Sequence, residues 1–327
     1  MLLNYFVLSP STVGAAVIII LLCFSINQFY ISQAESATIV DYSYLTEWGD
    51  FGKDEGQINE PADIALDSEE EVVYLADSGN NRVAKFTLDG TFIKGWGSLG
   101  DRGGQFRGVG DVAIDSKDKI VFAIDIGNNK IQKFDTDGLF MKEWGSKGSG
   151  DGEFDQPGDI AIDTVENVLF VTDIGNNRIQ KFDFDGNLIS SWGSLGSGNG
   201  EFERPAGIWL DVTSKVIYVA DTNNNRIQKF DTNGKFINKG GQLGQAQGEF
   251  DNPASLGTSP LTGYTFVVDS GNKRVQVFNK LGNFVTFLGI PSLYERPVGI
   301  AFDNQEKVYV LDKEKGKVFI FNPESTR

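Results

Sequence analysis

Histidine is absent from all 327 residues, and cysteine occurs once, at Cys23. Without imidazole there is no Ser-His-Asp triad and no histidine general base. Zinc sites built on imidazole or thiolate are excluded from the folded part, which also has no disulfide and no thiol nucleophile. Positive charge is scarce as well. Lys and Arg number 29 against 45 Asp and Glu, a formal net charge of −16, and no charged side chain precedes Glu35. Nucleic-acid binders carry a basic face or stripe, so no nucleic-acid partner is expected. An acidic surface suits solubility, cationic ligands or metal ions. Helical spacing of apolar residues does not persist anywhere beyond the N-terminal stretch, and no RING-type cysteine cluster exists.

What is present is repetition. Asp77-Ser-Gly-Asn-Asn-Arg82 returns as Asp125 to Lys130, Asp173 to Arg178, Asp221 to Arg226 and Asp269 to Arg274, with a worn copy from Asp312. From Asp77 to Asp269 the step between copies is constant, and the last step, to Asp312, is slightly shorter. A period of about 40–50 residues is that of four-stranded propeller blades. The third copy shows four strand candidates, Asp159–Asp163, Val168–Asp173, Arg178–Asp183 and Leu188–Trp192. The pair Asp185-Gly186 marks the hairpin between the last two. The fold class expected is all-β: a six-bladed propeller of four-stranded antiparallel blades.

The sixth copy offers three strands, Val298–Asp303, Lys307–Asp312 and Lys317–Asn322. The fourth is expected from Tyr42–Trp48, because Trp48 stands one full period before Trp96, in series with Trp144 and Trp192. Pairing the two ends of the chain in one sheet removes an open edge. The propeller is placed at 38–323, with a tail at 324–327. Ahead of it, Val13 to Ile26 is apolar apart from Gly14 and Ser25, and no Lys or Arg precedes Lys53. Residues 1–34 read either as a secretory signal, with a small-x-small site at Ser32-Gln33-Ala34, or as an uncleaved anchor through 13–31. Both place the propeller outside the cytoplasm, secreted or membrane-anchored.

The runs Pro205 to Asp211 (PAGIWLD) and Ala220 to Phe230 (ADTNNNRIQKF) resemble the repeat of the NHL-repeat family. The resemblance covers roughly Thr38 to Pro323 and implies the six-bladed fold. Family members that bind single-stranded RNA use a basic face. Here Lys85, Lys133, Lys181 and Lys229 fall one per blade around the rim and read as solvated outer positions. Similar lyases that cleave peptidyl-α-hydroxyglycine, or linearise antibiotics, depend on histidine, so neither activity transfers.

Carboxylate and amide chemistry remains. The second residue after the one that opens each inner strand, a proline in every copy but the second, where it is Val109, is Gly in the family pattern. Here it is Asp63, Asp111 and Asp159, then Gly207, Ser255 and Gly299. Three adjacent blades would bring three carboxylates to one side of the channel mouth, where like charges need a shared proton or a cation such as calcium. The alternative is that each Asp caps N–H groups of its own lead-in loop. Asp77, Asp125, Asp173, Asp221 and Asp269, with Arg82, Arg178, Arg226 and Arg274, are read as a structural staple. Trp209 stands where other copies have Ala or Gly, and either fills a gap between blades or projects into the channel. The long loops, such as Gly193 to Pro205 anchored by Phe202, mark the binding face. The expected function is a monomeric binding or scaffolding module for a protein, peptide or envelope glycan, with no catalytic residue and no cofactor. The alternative is a histidine-independent, calcium-dependent hydrolase of lactonase or esterase type.

Overall fold

The structure is a computed structural model that describes residues 41–290 and 292–324. The expectations for 1–34 lie outside the described residues, as does the tail beyond Glu324. Six four-stranded antiparallel sheets follow one another along the chain. Blade 3 is Pro157–Asp163, Val168–Asp173, Arg178–Asp183 and Leu188–Trp192. Blade 4 repeats it one period on, as Pro205–Asp211, Val216–Asp221, Arg226–Asp231 and Phe236–Gly240. The second strand of every blade is buried along most or all of its length, because neighbouring blades cover both of its faces.

Blade 6 combines Pro297–Phe302, Val308–Asp312 and Lys317–Glu324 with Asp41–Trp48, which lies beside Lys317–Glu324 as the outer strand. The ring is thus closed by joining the two ends of the propeller in one sheet. Glu47 pairs with Lys317 at 3.0 Å, and the Tyr44 ring meets Phe321 edge-on. Trp48 then packs on Phe86 of blade 1, with ring centres 5.0 Å apart.

Aromatic wedges hold blade to blade. In blades 1 to 3 the outer-strand Trp lies between a ring of its own second strand and a third-strand Phe of the next blade. Trp96 sits between Tyr74 and Phe134, Trp144 between Phe122 and Phe182, and Trp192 between Phe170 and Phe230. The turn glycine of the next blade lies flat against the indole. At Gly138, with φ +78°, an added Cβ would come within 2.5 Å of Trp96, so both the turn and the packing demand glycine. Phe106, Phe154, Phe202 and Phe250 anchor the lead-in loops, each paired by a short parallel bridge, as Leu195 with Phe202.

The third-strand lysines correct one expectation. Lys85 and Lys181 are buried rather than solvated. Each amine lies over an aromatic ring of the second strand, at 5.0 Å from Tyr74 and 5.2 Å from Phe170, and donates to a carbonyl of the next blade. The strand twist carries the side chain into the gap between blades, where its stem is apolar packing and its head a hydrogen-bond donor.

Candidate functional site

The repeated Asp-x-Gly-Asn-Asn-Arg segment builds a rigid collar at the loop face. In blade 4 the buried Asp221 accepts from the Glu203 N–H at 2.7 Å, Asn224 at 3.0 Å, Arg226 Nε at 2.7 Å and Gln228 at 3.0 Å. Arg226 then donates to the carbonyls of Ser197, Gly198 and Glu201 in the lead-in loop. Asp77, Asp173 and Asp269 make the same pair with Arg82, Arg178 and Arg274 at 2.6–2.8 Å. In blade 2 Lys130 pairs instead with Glu143 at 2.7 Å, and Asp125 is held by Asn128, Gln132 and the Arg107 N–H. The second Asn adopts the left-handed conformation, at φ 53–55° for Asn81, Asn129, Asn177 and Asn225. Its side chain accepts from the next blade, as Asn177 does from the Arg204 N–H at 2.8 Å. N–H donors thus occupy the staple carboxylates.

At the ring axis the three singled-out aspartates converge. Asp111 and Asp159 sit in bulges at the start of their inner strands, where pairing skips from Val109 to Val112 and from Pro157 to Ile160. A bulge re-aims a side chain. Asp63 takes the matching place just ahead of the inner strand Ile64–Asp67. One oxygen from each carboxyl lies within 4.8 Å of the others. Asp111 Oδ2 accepts from the Ile160 N–H at 2.6 Å, and Asp159 Oδ2 from the Ile208 N–H at 2.7 Å. Capping within each residue's own lead-in loop is thereby corrected for these two bonds: they cross to the next blade, because the bulge turns the carboxyl sideways. Asp63 Oδ1 has no accessible surface and no hydrogen-bond partner among the described residues. Gly299 of blade 6 lies against it, and a side chain there would collide with that oxygen.

Burial and crowding push all three carboxyls upward. Asp63 is raised to about 8, first by desolvation and then by the Asp159 charge. Asp111 and Asp159 rise well above the usual carboxylate range for the same reasons, Asp63 acting on Asp111 and Asp111 on Asp159. With one oxygen of each carboxyl so close to the others, a shared proton relieves the repulsion between like charges. A calcium ion would need six to eight oxygens. Both Asp111 oxygens already receive main-chain N–H groups, the second from Val112 at 2.5 Å. The trio suits protons better than a hard cation.

The trio divides two spaces. Toward the loop face, a cavity of about 450 Å³ has Asp63, Asp159 and Ser255 in its floor, Ile126 and Ile174 in its wall, and Gln156, Arg204, Arg296 and Lys313 at its rim. Arg204 reaches Gln156 at 3.3 Å, while the side chains of Arg296 and Lys313 make, among the described residues, long pairs to Glu314 at 3.5 Å and Glu60 at 3.8 Å. Beyond the trio, a channel cavity of about 280 Å³ is lined mainly by aliphatic inner-strand residues. Trp209 meets both earlier alternatives. It lines this cavity and also bridges blades, donating to Thr258 Oγ1 at 2.8 Å and packing edge-on to Phe302. Of the two rim arginines, Arg204 escaped the sequence reading, whereas Arg296 stands in the short lead-in to blade 6, Gly289 to Pro297, which with Tyr294 and Glu295 marks the loop face as asymmetric. The signal of both arginines was position: they stand immediately before the opening proline, where Glu60 and Gln156 stand in other blades.

Residues 59–86 match the NHL repeat family, and 105–192 and 168–240 match a family described as 6-bladed beta-propeller. With six closed four-stranded blades, the chain is a six-bladed β-propeller, and it carries NHL-repeat sequence at 59–86. No curated protein matches it. Among solved structures it resembles a protein of unknown function from Bacteroides thetaiotaomicron (TM-score 0.66, 18% identity, 87% of this chain and 76% of that one). It also resembles a catalytically inactive histidine-to-alanine form of virginiamycin B lyase from Staphylococcus aureus with quinupristin (TM-score 0.59, 15% identity, 86% and 99%). A third is a chain of a nidogen/laminin complex (TM-score 0.57, 19% identity, 76% and 88%). At these identities the likeness is one of fold. Among the described residues no helix is long and apolar enough to cross a membrane.

Proposed function

We propose that the chain is an extracytoplasmic binding or scaffolding module that takes a protein, a peptide or an envelope glycan over the channel mouth on its loop face, as a monomer. One observation carries this reading. The collar is nearly uniform from blade to blade, whereas the mouth it frames is asymmetric: aliphatic at blades 2 and 3, cationic at blades 4 and 6, carboxylic in its floor. Rigid, preorganised loops around a chemically lopsided funnel favour specific recognition. Asp63, Asp111, Asp159 and Trp209 belong to the site as its floor and the channel beyond.

Peptide and glycan arrays probed with the purified chain test it. Ligands retained by the parent should bind R204E/R296E at least about tenfold more weakly, and K117E, in the turn after the blade 2 inner strand, like the parent. Equal binding by both variants would remove the mouth from the account. The extracytoplasmic placement rests on the apolar run within 1–34. Recovery of the chain from the envelope or medium supports it, and recovery only from cytosol opposes it.

The convergence of three carboxyls favours one second reading, a calcium-dependent hydrolase. It requires calcium to raise the melting temperature and D111A to abolish that rise. The expected result is no change in melting temperature between EDTA and millimolar calcium.

A further inference from the structure

The tryptophan period breaks once in a way that leaves space. The register that pairs Val83 with Trp96, Ile131 with Trp144 and Ile179 with Trp192 pairs Ile227 with Gly240 in blade 4. No other side chain moves in. A Cβ added to Gly240 would meet nothing within 4 Å, and neither would one on Gly282, the turn glycine on which the missing indole would lie. Blade 5 also lacks the Trp, but Leu288 there is buried. The result is a cavity of about 140 Å³ between blades 4 and 5.

Its walls are the two rings that sandwich the indole elsewhere. Tyr218 of the second strand and Phe278 of the next blade are each 9% exposed, where Phe170 and Phe230 in the preceding pair are 0%. Ile227 is 7% exposed against 0% for Ile179. Phe250 closes the side toward the lead-in loop. Thr265 and Lys229 are the polar side chains that line it beside Tyr218, and the Lys229 amine, its one cationic group, lies 4.6 Å from the centre of the Tyr218 ring. Its counterparts Lys85, Lys133 and Lys181 donate to carbonyls of the next blade at 3.5, 3.1 and 3.3 Å. No such bond or ion pair forms at Lys229 among the described residues, and burial lowers its pKa.

We propose that this slot binds a planar aryl group of indole size or smaller, stacked edge-on between Tyr218 and Phe278, with an acceptor or carboxylate substituent turned to Lys229. An apolar cavity of about 150 Å³ holds a benzene ring, and edge-to-face ring pairs and an ammonium near a carboxylate supply orientation. The site lies away from the channel mouth, so it stands or falls separately from the loop-face reading.

Binding of indole and indole-3-acetate to the purified chain, followed by amide chemical shifts, tests it. Saturable shifts are expected at Ile227, Gly241 and Val267. Indole-3-acetate should bind about fivefold more tightly than indole, as one modest ion pair allows, and K229M should erase that advantage while keeping indole binding. G240W, which restores the repeat at a strand position without a left-handed φ, should fold, melt higher and bind neither probe. If G240W fails to fold, G240L serves as the filling variant. A capped Trp-containing tripeptide distinguishes the sources: binding equal to indole points to an aromatic side chain of a partner chain, and binding of the free aryl acid alone points to a small molecule. Absence of saturable indole binding, or binding that persists in the filled variant, would overturn the proposal.

Discussion

D221A is expected to cost about 3–5 kcal/mol of unfolding free energy, the range for breaking a buried ion pair by removing one partner. Asp221 is fully buried and gathers donors from three separate places, the lead-in loop at Glu203, the turn at Asn224 and the third strand at Arg226 and Gln228. Alanine leaves a buried guanidinium without its carboxylate and a main-chain N–H without an acceptor, and each orphaned group adds its desolvation cost. At roughly 2–4 °C per kcal/mol for a domain of this size class, the melting temperature should fall by roughly 6–20 °C. R226K imitates blade 2, where Lys130 leaves the carboxylate to Asn and Gln donors, and should cost markedly less. Thermal melts of the two variants beside the parent make the comparison. Equal small losses would mean that the collar carbonyls and carboxylates are well solvated and that the loop face is not held rigid.

D63N is expected to stabilise the protein increasingly as the pH rises. The folded-state pKa of Asp63 is raised, to about 8, above the unfolded value near 3.8. Below pH 4 the carboxyl is protonated in both states and contributes no penalty. Between pH 4 and 8 the unfolded chain releases this proton while the folded chain keeps it, so stability is lost as pH rises through that window and levels off above it. The amide cannot ionise, yet it offers the same shape and a donor toward Asp111. The stability difference between D63N and the parent should therefore widen by at least about 2 kcal/mol from pH 4 to pH 8, allowing roughly 1.4 kcal/mol per pKa unit and a generous discount. Urea unfolding at both pH values measures it. A constant difference would place Asp63 in contact with solvent or with a bound cation.

Sequence and structure agree where the signal is periodic. Blade count, strand order, the outer strand from Tyr42–Trp48 and the pairing of Asp173 with Arg178 all followed from spacing, since a repeat must satisfy the same hydrogen bonds at each turn of the ring. The convergence of Asp63, Asp111 and Asp159 was likewise legible. Its hydrogen bonds were not: a bulge at Gly158–Asp159 decides that the carboxyl reaches the next blade, and nothing in the local sequence distinguishes that from a cap at home. Lys181 was misplaced for a similar reason. Alternation along an isolated strand says outward, but the twist of a blade turns that outward side onto its neighbour. The slot at Gly240 shows the converse, because there a departure from the period carried the information and only the register revealed it as space.

Ring closure supports everything else, and amide hydrogen exchange reads it most directly. If Asp41–Trp48 is the outer strand of blade 6, the amides of Ser43–Glu47 that face Lys317–Glu324 exchange with protection factors close to those of Val318–Phe321, and both sets are lost together as urea is raised. Exchange of Ser43–Glu47 at the rate of an unstructured peptide while Val318–Phe321 stays protected would mean an open ring, and would contradict the account.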